Sequence, residues 1–184
     1  MNQKMKNSFP LDYTFLAFFF LLFVSVSSDV IQESCGKAAK GDPNINFDFC
    51  VASLEANPKT KTATSTQDLV PISIEIAISN AKSISSIVSK LLKNKNIEKY
   101  TRSCLEACSE LYSDVGSDLQ SGGQAFKAKD YETANVKISA ALDVPVTCED
   151  GFKEKQGLVF PLKKENNNFF QLTATLLAFI TMVQ

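Results

Sequence analysis

The stretch from Cys104 to Leu119, CLEACSELYSDVGSDL, restricts the possible folds more than any other part of the chain. Its apolar positions are Leu105, Cys108, Leu111 or Tyr112, Val115 and Leu119. They step by three or four, so they share one face of an α-helix. Glu106, Glu110, Asp114 and Asp118 step by four and form an acidic stripe beside that face. Such a helix buries its apolar face against neighbours and shows its acids to water or to a partner. A cysteine within the apolar stripe offers a covalent link to one of those neighbours. The stretch therefore reads as the middle helix of a bundle.

The segments around it repeat the pattern. Ala77, Ala81, Ile84, Val88 and Leu91 step by three and four through a helix expected over 68–92, with Asp68 as a capping residue and Pro71 in the first turn. The organising helix is expected from about Ile97 to Gln120, with Gly122-Gly123 as its stop. A third helix runs from about Ala128 to Leu142 with Tyr131, Ala134 and Ile138 on its seam, and Pro145 ends it. Cys148 then falls on a short extra turn or helix. The last helix covers Lys163 to Met182, with Phe169, Leu172, Leu176 and Ile180 inward. The tail after Asn168 could also be read as a removable anchor signal, but Gln171, Thr173 and Thr175 interrupt it, and a four-helix bundle would lack a member without it. Four long amphipathic helices with short connections predict an all-α, up-down-up-down four-helix bundle over 68–183. Ahead of it, Gly41-Asp42-Pro43-Asn44 breaks two short helical patterns, so 29–58 reads as an N-terminal helical hairpin. Lys59 to Gln67, KTKTATSTQ, reads as a polar linker.

The N-terminus carries Lys4 and Lys6, an uncharged run from Phe15 to Val26, and the small residues Ser27 and Ser28. The run is shorter than the roughly 20 apolar residues of a spanning helix. Residues 1–28 are therefore expected to be a secretory signal peptide, and 29–184 one secreted, extracellular domain with no membrane contact after cleavage. Secretion exposes the five cysteines to an oxidising compartment, where they tend to pair. Cys35 and Cys50 would close the hairpin, a loop of roughly 15 residues worth about 3 kcal/mol in the chain-entropy estimate. Cys104 and Cys108 lie one turn apart on one helix, a poor geometry for a mutual bond. Cys108 sits on the seam, and an antiparallel hairpin returns Cys148 towards it. Cys108–Cys148 therefore fits the topology and leaves Cys104 as a free thiol, more often a small buried hydrophobe than a link between chains. A monomer is expected.

The chain has no histidine, no Trp and a formal net charge of −1. It therefore lacks Ser-His-Asp and Cys-His pairs and the histidine ligands of most catalytic zinc sites. No phosphate loop is present, and a near-neutral chain has no basic footprint for nucleic acid. No metal and no cofactor is expected. Glu110 and Asp114 could in principle act as a carboxylate pair in glycoside hydrolysis. A convex bundle face offers no cleft for that, so a solvated or partner-facing surface is the better reading.

Three runs carry a family resemblance: Cys108-Ser109-Glu110-Leu111-Tyr112-Ser113-Asp114, Ser139-Ala140-Ala141-Leu142-Asp143 and Thr147-Cys148-Glu149-Asp150-Gly151-Phe152. Together with the helix count, they resemble the plant invertase/pectin methylesterase inhibitor family. The spacing of Cys35 and Cys50 and the box Glu154 to Gly157 resemble its invertase-inhibitor branch, which includes a plane-tree pollen allergen. The resemblance implies disulfides Cys35–Cys50 and Cys108–Cys148. It implies a protein that is not an enzyme but binds and blocks a cell-wall enzyme, either pectin methylesterase or cell-wall or vacuolar acid invertase, in the apoplast. For pectin methylesterase it implies contacts by Glu110, Asp114 and Thr147, with Ser117 at a third position that is acidic in the family and Asp118 next door. For invertase it implies a Pro-Lys-Phe motif, whose counterpart here is Glu98-Lys99-Tyr100, without the proline. The competing reading is a non-inhibitory secreted bundle with a structural or signalling role.

Overall fold

The computed structural model describes residues 29–184, so the expected signal peptide lies outside the described residues. These contain six α-helices, one 3-10 turn and no strand. Helix α1 covers 29–41 and α2 covers Phe47–Glu55. A 3-10 turn follows at Pro58–Thr62. The long helices are α3 (Thr66–Leu92), α4 (Lys99–Lys127), α5 (Tyr131–Lys153) and α6 (Lys163–Met182). Helix α3 packs on α4 and α6, and α5 packs on the same two, so the four close into a ring. This is the up-down-up-down arrangement that short connections impose.

The core lies along the ring axis. It contains Leu69, Val70, Ala77, Ala81, Ile84 and Val88 of α3 and Leu105, Tyr112, Val115 and Leu119 of α4, with Ala134, Ile138 and Ala141 of α5 and Phe169, Leu176, Phe179 and Ile180 of α6. Burying each large apolar side chain contributes about 1.5–3 kcal/mol. The α1–α2 hairpin docks on the outside. Cys35 and Cys50 are bonded, with Cα atoms 5.8 Å apart. Gln171 of α6 fastens the turn, accepting from the Asn46 N–H at 2.8 Å and donating to the Asn44 carbonyl at 2.7 Å. Gln171, Thr173 and Thr175, which interrupt the apolar pattern of the tail, are all buried inside the packed molecule.

Four expectations need correction. Helix α3 starts before Asp68. Ser65 is the N-cap, its hydroxyl accepting from the Asp68 N–H, and Asp68 reaches back to the Thr64 N–H at 3.0 Å. Pro71 therefore lies inside the helix rather than in its first turn, and the Gln67 carbonyl lacks its usual donor. The linker 59–67 is ordered. The Asn57 side chain accepts from the Lys59 N–H, and the buried Thr60 hydroxyl donates to the Leu54 and Asn57 carbonyls, which winds Pro58–Thr62 into a 3-10 turn.

Gly122-Gly123 does not end α4. An added Cβ at Gly122 would stand 2.8 Å from the Ile138 Cδ1, and one at Gly123 would stand 3.1 Å from the Ile74 Cδ1. The two glycines let α5 and α3 approach the helix that carries them. Nor does Pro145 end α5, which continues to Lys153 and so places Cys148 on a helix. Buried Asn166 of α6 supports the proline turn by donating to the Pro145 carbonyl at 2.7 Å. The same Asn166 accepts from the Tyr112 hydroxyl at 2.6 Å, and the Tyr112 ring meets Phe169 edge-on at 5.2 Å.

Candidate partner-binding face

Helices α4 and α5 are joined by the Cys108–Cys148 disulfide, with Cα atoms 4.9 Å apart. Cys108 faces inward, so residues two and six positions further along α4 turn outward. Those residues are Glu110 and Asp114, and both are exposed. Among the described residues neither carboxylate has an ion-pair partner. Glu106 extends the exposed row by one turn. Asp118 does not belong to it, in contrast to the expected stripe, because it is half-buried and bonded to Lys137 of α5 at 3.0 Å. Ser117 is exposed, but its hydroxyl is turned back to donate to the Asp114 carbonyl at 2.7 Å.

Thr147 lies on α5 one residue before the disulfide, and is exposed. Its hydroxyl donates to the Asp143 carbonyl at 3.0 Å, which leaves its methyl group and oxygen lone pairs outward. Beside it Val146 is 46 % exposed, a large apolar side chain flanked by Asp143 and Asp150. Val146 was not among the sequence candidates, since a helix ending at Pro145 leaves it no defined direction. The face thus consists of free carboxylates on α4 and Thr147 on α5, two helices held in fixed register by a covalent bond.

Lys99 and Tyr100, at the start of α4, are placed differently. Lys99 is exposed. The Tyr100 hydroxyl lies 3.1 Å from a Glu154 carboxylate oxygen and 3.3 Å from the Gly151 carbonyl, so it donates into the end of α5. Lys155 stands over the Tyr100 ring, 5.3 Å from its centre, and also bonds Glu98 at 3.2 Å. Partial burial and then the Glu154 carboxylate raise the Tyr100 hydroxyl above its ordinary pKa. Glu98 caps α4. The backbone N–H groups of Tyr100 and Thr101, with a smaller contribution from Lys155, lower its carboxyl to about 2.

Cys104 is buried and unbonded, and its thiol donates to the Gly151 carbonyl at 3.3 Å. Burial, followed by the charges of Glu154 and Glu98, raises its pKa, so the thiol is held protonated. Among the described residues no group of three or more Cys, Asp or Glu side chains could hold a metal ion. No described helix is long and apolar enough to cross a membrane.

Residues 29–179 match the family model described as "Plant invertase/pectin methylesterase inhibitor". A protein of Platanus acerifolia named "Putative invertase inhibitor" is 47 % identical over 174 residues, covering 95 % of this chain and 96 % of its own. "Pectinesterase inhibitor 12" of Arabidopsis thaliana is 37 % identical over 164 residues, covering 89 % and 93 %. Among solved structures, a mutant form of a pectin methylesterase inhibitor from Arabidopsis superposes with a TM-score of 0.66 at 18 % identity, over 80 % of this chain and 93 % of that one. That last likeness shows the shared helical fold.

Proposed function

This chain belongs to the plant invertase/pectin methylesterase inhibitor family, and we propose that it is a secreted inhibitor whose α4–α5 face covers the catalytic mouth of pectin methylesterase in the cell wall. It is an enzyme inhibitor, not an enzyme. The observation that carries the choice of target is the exposed pair Glu110 and Asp114, which face outward with no internal partner beside a covalent staple. Charged groups left free in this way gain most from a partner of opposite charge, chiefly through the rate of encounter. The rigid bundle suits that role, because little side-chain and loop ordering is lost on docking.

Residues 29–184 act as one inhibitor domain in this reading. Glu110 and Asp114 meet basic or polar groups at the rim of the enzyme's cleft, and Thr147 and Ser117 complete the polar edge. Removal of residues 1–28 sends the protein to the apoplast.

Acid invertase is the second reading, favoured by the high identity to the Platanus relative. Against it, Tyr100 is tied to the end of α5, so of the Lys99-Tyr100 pair only Lys99 projects freely. Titrating the purified protein into pectin methylesterase and, separately, into acid invertase distinguishes the two. We expect stoichiometric loss of esterase activity with invertase unaffected. Loss of invertase activity alone reverses the target, and no effect on either enzyme refutes the inhibitor reading.

A further inference from the structure

One end of the bundle is rich in cations, although Glu98, Glu149, Asp150 and Glu154 lie there as well. There the α3–α4 and α5–α6 connections meet. Lys155 pairs with Glu98 across them at 3.2 Å. Arg102 secures the first connection by donating to the Leu92 and Asn94 carbonyls at 3.0 and 2.9 Å. Lys93 and Lys95 on that connection, and Lys163 and Lys164 at the start of α6, are all exposed. Among the described residues, none of these four has a carboxylate within ion-pair distance.

A groove of about 430 Å³ opens beside them, lined by Lys163, by Lys153 and Lys155 with their ion-pair partners Glu149, Asp150 and Glu98 close by, and by an apolar shelf. Phe160 packs on Phe152 with ring centres 5.0 Å apart, and Val159 stands 80 % exposed at the lip. Gly157, with φ of 85°, supplies the left-handed turn that folds this lip back, a conformation other residues adopt at a cost.

The combination selects a particular chemistry. A small inorganic anion would use the lysines and leave the apolar shelf open to water. A uronic acid ring has an apolar C–H face and a carboxylate, and a polymer of such rings can reach both the loop lysines and those of α6. We propose that this basic end of the bundle binds a polyuronate, the de-esterified form of a methyl-esterified pectin chain. The choice of polymer rests on the inhibitor reading above, because an esterase acting on pectin leaves carboxylates on the chain where the esters were. The acidic α4–α5 face repels the same polymer, so binding is confined to the basic end and leaves that face open to the enzyme.

Affinity electrophoresis of the purified full chain tests this with polygalacturonate and with fully methyl-esterified pectin, and co-sedimentation tests it with phosphatidylserine vesicles. Polygalacturonate should retard the protein at low salt. That affinity should fall ~10-fold or more as ionic strength rises from about 0.02 M to about 0.5 M. Fully esterified pectin should give no retardation. K163E/K164E and K93E/K95E should each weaken retardation ~5-fold or more, with unchanged melting and unchanged inhibition of esterase assayed on a small soluble ester. Equal retardation by esterified pectin, full retardation of K93E/K95E/K163E/K164E, or tighter binding to vesicles than to polyuronate overturns the proposal. If polyuronate binding persists in a protein that inhibits neither enzyme, the inhibitor reading fails and this one stands. Inhibition without polyuronate binding overturns this one and leaves the inhibitor reading intact.

Discussion

Helix α4 carries one acid and an aromatic residue at its start, and acids again at its middle, but the two regions use them differently. At the start, Glu98 caps the helix and pairs with Lys155, while Tyr100 donates into the end of α5. At the middle, Glu110 and Asp114 have no partner among the described residues. The first region holds two helix ends together. The second, fixed by a buried disulfide one turn away, holds nothing in the fold and is free to act outside it. Charge in the sequence is therefore a poor guide to function until its internal partners are known.

The largest expected effect comes from removing what fixes the second region. Cys108→Ser with Cys148→Ser opens a loop of about 40 residues and should cost about 4 kcal/mol in the chain-entropy estimate, read from urea unfolding with the oxidised wild type as reference. If the loss stays below about 1 kcal/mol, the disulfide does not set the register of α4 and α5. Next, Tyr112→Phe leaves the buried Asn166 carbonyl oxygen without its donor and should lower stability by about 1–3 kcal/mol. Inhibition measured well below the melting temperature should be retained, since Tyr112 faces the core.

Glu110→Lys should leave stability within ~0.5 kcal/mol but weaken inhibition ~10-fold, mostly through slower association at low salt. The same change at Glu98 should act the other way, with a loss in stability and little loss in inhibition. The smallest effect is a pH slope. Glu98 is lowered from 4.5 in the unfolded chain to about 2 in the folded one. Its contribution is therefore present above about 4.5 and lost as pH falls towards 2. Thermal melts across that window should show a steeper decline for wild type than for Glu98→Gln; parallel curves contradict the capping role.

Much of this architecture was legible in the residues. The three-four spacing of apolar positions located all four long helices, and it placed α6 at Lys163–Met182 because nothing inside that pattern resembles a stop. Most of the errors fell where a residue type has two physical meanings. Gly122-Gly123 resembles a helix terminus, yet it exists for close approach by Ile138 and Ile74. Pro145 resembles a stop, but α5 runs through it to Lys153 within a packed bundle, and only the Ala141 carbonyl loses its usual donor. KTKTATSTQ resembles a linker, but side-chain hydrogen bonds to nearby backbone order it. Each of these depends on a contact far away in sequence or on a local hydroxyl, and periodicity records neither. At the candidate face, spacing brought Glu110 and Asp114 together correctly on one side of a helix. It could not say that Asp118 is taken by Lys137, or that Val146 projects beside Thr147.

The most direct test of the central claim is the inhibition constant for pectin methylesterase of the double variant E110K/D114K, set beside that of wild type, with both proteins shown to melt at the same temperature. Docking through the outward acids of α4 predicts a rise of ~100-fold or more that shrinks as salt is added. An unchanged constant at low salt contradicts it and would move the inhibitory contact to another face of the bundle.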